Sequence, residues 1–300
     1  MIVIPRKGRN RIPLTGLLHI FLFPLLFLAG IAVADPAPRL LLAQAEEVPY
    51  VTTPDRVTAA MLDLAAVQAG DHVIDLGSGD GRIVIAAARR GATGLGVDND
   101  PRLVAESIGN AKRAGVAART TFLEQDLFRT DLAPATVITL YLLPEVNLQL
   151  RPAILRLRPG TRIVSHDWDM GDWRPDRSVT LAVPEKTIGL SKSSKVHLWI
   201  VPARVEGLWC GTRDDRRAAL RLRQSYQDVS GEIEIGGRSR MAISGGIAGT
   251  SVSVAPSGAA APGSLRFVAR AAGMQSVQAD GELSGLRGFA WRRAHGKDAC

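Results

Sequence analysis

Residues 73–82 read VIDLGSGDGR, a buried-strand pattern that runs into a glycine turn and then a helix, and this stretch limits the possible folds more than any other. Val73, Ile74 and Leu76 supply the apolar, largely β-branched run of a strand covered on both faces, the kind found in parallel sheets. Gly77, Gly79 and Gly81 let the backbone turn tightly beside a ligand. Residues 82–91 (RIVIAAARRG) read as a helix on alanine content and on the closing glycine. Strand, loop and helix in that order put a ligand at the carboxyl edge of a parallel sheet.

The loop departs from the dinucleotide fingerprint, which needs a third small residue where Arg82 stands. NAD and FAD are therefore disfavoured. Residues 94–98 (GLGVD) read as the next strand, and Asp98 ends it at the distance from the loop where a carboxylate accepts both ribose hydroxyls. A third strand is followed by Asp126 in FLEQDLF.

DLGSGDGR at residues 75–82 and GVD at 96–98 resemble the first motif and the following acidic position of class I S-adenosylmethionine-dependent methyltransferases, over residues 50–203. The resemblance implies a fold and a cofactor, S-adenosyl-L-methionine. It implies that Asp75, Gly77, Ser78, Gly79 and Gly81 lie against the methionine part, that Asp98 binds the ribose and Asp126 the adenine amino group, and that Asn99 and Leu127 also line the cofactor. For Asp126 an ordinary reading stands beside this one, a strand-end acid that caps the next turn. Together with YVTTP at 50–54, DLF at 126–128 and LYLLP at 140–144, these motifs resemble a narrower group. It comprises bacterial relatives of the mitochondrial lysine methyltransferases whose targets include the ATP synthase c subunit and the adenine nucleotide translocase. In that group the segment before the first helix folds over the cofactor, which implies Tyr50, Thr52 and Thr53 at the site. The chain departs from the group at Thr52, where proline is common, in its HDWDMGDW loop and in a β-rich tail.

The ends differ from the middle. Arg6, Lys7, Arg9 and Arg11 precede an uncharged apolar run at 14–34 that finishes in a small-x-small site at 32–34. This is the pattern of a signal peptide, and the run is also long enough for a membrane anchor. Either way the basic flank keeps the amino end in the cytoplasm and sends the downstream chain across the membrane, so an exported or membrane-anchored protein is expected. A cofactor made and used inside cells keeps cytoplasmic exposure open. Residues 1–34 hold four basic and no acidic residues, so the formal net charge of +8 falls by half without them. No basic stripe with interleaved aromatics appears, and nucleic acid is not the expected partner. The two cysteines, Cys210 and Cys300, do not make a metal site; in an oxidising compartment they would close the tail with a disulfide.

The chain divides into four segments: the leader at 1–34, a polar spacer at 35–49, an α/β domain at 50–203 and a small β-rich domain at 204–300. The α/β domain opens with a helix over 55–70, with Thr53 as cap, Pro54 in the first turn and Gly70 as stop. Strands alternate with helices, including one within 147–160, as in a Rossmann-like, mostly parallel sheet with helices on both faces. Strand candidates are 120–123, 136–143 and 161–165, closed by an antiparallel hairpin of 178–183 and 195–201 around Gly189. Beyond 205, short alternating runs at 220–224, 232–235, 240–243, 251–254, 265–269 and 276–279 fit a small antiparallel β-sandwich or barrel, with Trp209 and Trp291 packed on each other.

Methyl transfer from a sulfonium needs in-line alignment with a neutral nucleophile more than it needs acid catalysis. The acceptor is expected over the strand ends at 139–147 and 165–173, near Tyr141, His166, Asp167, Trp168 and Asp169. Aromatic rings flank a desolvated amine and a carboxylate or imidazole takes its proton, which makes Tyr141 and Asp167 the candidate catalytic residues. The reading favoured is methyl transfer to an amine, a protein lysine. A small-molecule acceptor, and an exported binding protein on a methyltransferase scaffold, remain as alternatives.

Overall fold

The run around Ile74 forms strand β1 (His72–Leu76), buried at every residue after His72. With β2 (Thr93–Asp98), β3 (Thr120–Glu124), β4 (Val137–Leu140), β5 (Arg162–His166), β6 (Arg177–Ala182) and β7 (Ser193–Ile200) it makes a seven-stranded sheet in the order β3-β2-β1-β4-β5-β7-β6. The first five strands are parallel, whereas β7 runs antiparallel to both β5 and β6. This computed structural model describes residues 51–186, 191–237, 239–257, 262–270, 272–294 and 300. Gly189 and the leader lie outside the described residues; among those described, no helix is long and apolar enough to cross a membrane.

Successive strand residues point to opposite faces, and each face finds its own helices. Val73 joins Val137 and Val164 under Val57 and Met61 of α1 (Asp55–Leu64) and Ile83 and Ala87 of α2 (Arg82–Arg89). Ile74 and Leu76 join Ile138, Leu140 and Ile163 under Leu150 and Ile154 of α4 (Pro144–Ile154). Helix α3 (Pro101–Arg113) is capped by Asp100, whose side chain accepts the Arg102 amide, and covers the outer strands through Val104 and Ala111. The chain runs outward from β1 to β3 and returns to the far side of β1 as β4. A crevice therefore opens at the carboxyl ends of β1 and β4.

Boundaries differ from the sequence expectation most tellingly around α1 and between β4 and α4. Helix α1 ends at Leu64, because Ala66 adopts φ 48° and the Val67 amide bonds back to Leu62 O, closing the helix before Gly70 is reached. Pro54, not Thr53, is the α1 cap. Helix α4 starts at Pro144, whose fixed φ suits a first helical position, so strand β4 stops at Leu140 and Tyr141 leaves the sheet.

The tail is a closed antiparallel barrel of β8 (Gly207–Arg213), β9 (Arg216–Ser225), β10 (Asp228–Ile235), β11 (Ser239–Ala248), β12 (Ser251–Pro256), β13 (Leu265–Arg270), β14 (Gly273–Ala279) and β15 (Ala290–Arg293). Alternation is clear in β9, where Ala218, Leu220 and Leu222 face in and Arg217, Arg221 and Arg223 face out. Closure pairs β15 with β8, and Trp291 sits opposite Gly211, where a Cβ would come within 2.6 Å of the indole. Trp209 and Trp291 share this core but do not stack on each other: Trp291 meets Phe267 and Phe289, while the Arg293 guanidinium covers Trp209 at 4.6 Å. Cys210 and Cys300 form a disulfide with Cα atoms 5.2 Å apart. The described residues all belong to one compact unit.

Candidate active site

The chain leaves β1 through Gly77, Gly79 and Gly81, with φ of 75°, 53° and 78°. Side chains are strained at such angles, and a Cβ on Gly81 would also meet Phe122 and Ser107 at 2.7 Å. Two amides of the turn, on Gly77 and Ser78, donate to Val97 O of β2, each at 2.9 Å. The Gly79 amide donates to Asp98 Oδ2 at 2.8 Å, and Asp98 Oδ1 accepts the Asp100 amide at 3.0 Å. Asp98 thus fixes the loop to the end of β2. A carboxylate offers about four acceptor positions, so these two bonds leave Asp98 capacity for a pair of hydroxyls.

Asp75 lies beneath the turn, 2% exposed, and accepts the Thr139 hydroxyl at 2.7 Å. Burial pushes its carboxyl up to about 7 against that hydrogen bond, with Asp98 and Asp80 adding repulsion. Ser78 is buried and its hydroxyl has no hydrogen-bond partner among the described residues. Asn99 is exposed beyond β2 and Leu127 is half-buried. Asp126 caps a short 3-10 helix (Leu127–Arg129) by accepting the Phe128 amide at 2.9 Å, the ordinary structural use of a strand-end acid. Tyr50 lies outside the described residues.

Across the crevice, Tyr141 stacks on His166 with ring centroids 3.9 Å apart. His166 is 1% exposed; its Nε2 is 2.9 Å from Ser194 Oγ and its Nδ1 3.4 Å from Thr53 Oγ1. Burial pushes the imidazole down to about 4, Asp167 opposing and Lys186 reinforcing, so the ring is neutral near pH 7. Burial also raises the Tyr141 phenol, and Asp167 adds to this. Asp167 has φ 62° and is engaged on both oxygens, by Lys186 Nζ at 2.7 Å and by the Lys195 amide at 2.9 Å. It is an anchored counter-ion, not a free base. Trp168 is exposed and Asp169 caps the Gly171 amide at 3.0 Å.

Thr53 joins the two halves. Arg82 Nη1 donates to Thr53 O at 2.8 Å while Arg82 Nη2 holds Asp80 of the glycine turn at 2.6 Å, so the segment before α1 is tied to the loop on one side and to His166 on the other. Sequence reasoning missed Thr139, Lys186 and Ser194. Thr139 had a signal, as the one polar residue of the buried strand β4, which the parallel register sets beside Asp75. Lys186 and Ser194 come from the segment around the β6–β7 hairpin, and nothing local marks them.

Residues 75–177 match a family described as ANTKMT methyltransferase domain. A protein-lysine N-methyltransferase of Saccharolobus islandicus is 40% identical over 131 residues, 43% of this chain and 81% of that protein. The chain belongs to the S-adenosylmethionine-dependent methyltransferases. A mouse lysine N-methyltransferase named for the ATP synthase c subunit is 36% identical over 107 residues, and there the match spans 35% of this methyltransferase and only 43% of its relative's length. A solved structure described as an RNA methyltransferase from Salinibacter ruber in complex with S-adenosyl-L-homocysteine is 50% identical, covering 52% of this chain and 96% of that one at a TM-score of 0.47. The site fits the cofactor: the turn is lined by backbone at glycines that cannot carry side chains cheaply, and Asp98 retains acceptor capacity.

Proposed function

We propose that this methyltransferase acts on an amine, the side chain of a lysine in a protein. S-adenosylmethionine supplies a methyl group already activated on a sulfonium. Asp98 holds the ribose hydroxyls, Asp75 and the glycine turn face the methionine part, and Asp126 with Leu127 borders the adenine. Thr53, fixed by Arg82 and beside His166, closes over the methionine end.

The observation that carries the acceptor reading is the half-buried Tyr141 ring, backed by a neutral, fully hydrogen-bonded His166. Such a surface desolvates an amine and favours its uncharged form, the one with a lone pair for in-line attack. No side chain here is poised as a strong base, since Asp167 is paired and burial, by pushing the His166 imidazole down to about 4, leaves it only weakly basic. The lysine specificity in the names of the archaeal and mouse relatives supports a protein acceptor.

Titration calorimetry of the whole protein tests the cofactor site: Asp98→Ala weakens S-adenosylmethionine binding by at least about tenfold, or ~1.4 kcal/mol. A flat wild-type titration refutes the assignment. Incubation with radiolabelled S-adenosylmethionine and either poly-L-lysine or a membrane lipid extract tests the acceptor. Label in the polypeptide is expected; label in organic-soluble products moves the reading to small molecules. The basic flank and apolar run at 6–34 support a membrane-bound or exported enzyme, which protease accessibility on intact cells checks.

A further inference from the structure

The loop from His166 to Asp176 carries the acceptor-side residues, and it is held from three directions. Strand β7 fixes its two ends, through the Lys195 amide on Asp167 and the Ile200 amide on Asp176 at 2.7 Å. Helix α4 fixes its middle: Asn147 Nδ2 donates to Asp169 O at 3.2 Å, and Arg151 bonds both Met170 O and the Asp172 carboxylate. The third support comes from the barrel. At the turn between β9 and β10, Tyr226 takes φ 53° and donates its hydroxyl to Asp172 Oδ2 at 3.0 Å. Its ring stacks on buried Trp173 at 6.0 Å and lies under the Arg151 guanidinium at 5.7 Å. Gln227 Nε2 then donates to Arg174 O at 2.7 Å, and Asp228 pairs with Arg174 at 3.1 Å.

These contacts are more than a surface touch between two parts of a chain. Tyr226 packs into the core that holds β1, β4 and α4, although it belongs to the barrel. It also meets Arg151 and Asp172 at once, so α4, the acceptor loop and the barrel converge on one phenol. We propose that the turn at 226–228 positions the acceptor loop, and that Tyr226 is a positioning residue acting through Asp172 and Arg151 on the rim where the methyl acceptor sits. The proposal rests on the acceptor entering over β4 and β5. It gives the barrel a task in the reaction: it sets the shape of the rim without touching the cofactor.

The experiment compares full-length wild type, Tyr226→Phe and Tyr226→Ala by hydrogen–deuterium exchange, calorimetry and methyl transfer to poly-L-lysine. In Tyr226→Ala the amides at 168–174 are expected to exchange at least tenfold faster, while β1 and β2 keep their protection and S-adenosylmethionine affinity stays within twofold. Tyr226→Phe keeps the ring and loses only the hydroxyl, and it recovers at least half of that protection on a logarithmic scale. For poly-L-lysine, Tyr226→Ala raises KM at least fivefold with kcat within twofold. Unchanged exchange at 168–174, or a loss of protection spread evenly over the sheet, overturns the proposal. So does an unchanged KM beside a loosened loop. If poly-L-lysine is not methylated by the wild type, the lysine reading fails, and the loop exchange still decides the role of Tyr226.

Discussion

A carboxyl that burial has lifted to about 7 answers strongly to a neighbouring cation, and Asp75 is such a group. The folded protein keeps a proton there that the unfolded chain has lost above its ordinary 3.8, so Asp75 lowers stability progressively as pH rises from 3.8 to about 7. Asp75→Asn removes that decline, as urea melts at several pH values will register. A sulfonium and an ammonium brought close favour the ionised form, so S-adenosylmethionine binds more tightly at about pH 8 than at about pH 6 in the wild type, and this dependence is lost in Asp75→Asn. His166 works in the opposite sense. Its folded value near 4 lies below the ordinary 6.5, the unfolded chain binds the extra proton, and stability falls as pH drops from 6.5 to 4. His166→Gln, which is uncharged throughout, flattens the acid side of the stability profile. Because neither His166 nor Asp167 serves as a strong base, methylation of a lysine acceptor climbs with pH through at least ~9, tracking loss of the acceptor's own proton. In kcat/KM, which refers to the free acceptor, a plateau near neutrality would instead reveal a base on the enzyme.

Single elements end where a few backbone angles decide, and α1 shows this. Ala66 at φ 48° does the work a glycine normally does, at an exposed position. Ala66→Gly relieves the left-handed strain and is expected to stabilise the fold by roughly 1 kcal/mol, measured as a higher urea midpoint with an unchanged slope. The same helix shows why sequence boundaries slip: Gly70 carries the visible stop signal, yet the chain stops at Leu64 because an alanine tolerates the turn. Strand identities were legible where burial is two-sided, as in β1, or alternating, as in β9, since those patterns are local. Thr53 has the local pattern of a cap, whereas the fold commits its hydroxyl to His166, 113 positions away, and no local pattern records that pairing. Asp98 stands out in the sequence because its spacing from the glycine turn is itself a geometric constraint, and the fold bonds it to the Gly79 amide of that turn. Lys186 and Ser194 do not, since their place beside Asp167 and His166 depends on how a hairpin folds back along β5.

At the scale of the molecule, the choice between sandwich and barrel was open in the sequence because closure is a contact between β8 and β15, the first and last strands of the tail. Alternation within each strand is the same in both architectures. The Cys210–Cys300 link spans 90 residues and restricts the unfolded tail, so reduction or Cys300→Ser is expected to lower stability by about 2–4 kcal/mol. Differential scanning calorimetry with and without reductant measures it, and a loss confined to the barrel transition would show that sheet and barrel melt separately. Synthesis on the ribosome proceeds from the amino end, and upstream units generally fold first. Every strand of the α/β sheet has been made before the barrel begins, yet β8, paired early with β9, waits for its second neighbour until β15 has been synthesised. During that interval β8 and β14 present open backbone edges, so a premature stop codon just upstream of Ala290 would leave a finished sheet carrying a sticky, unclosed tail, and such products are expected in inclusion bodies and not merely weakened.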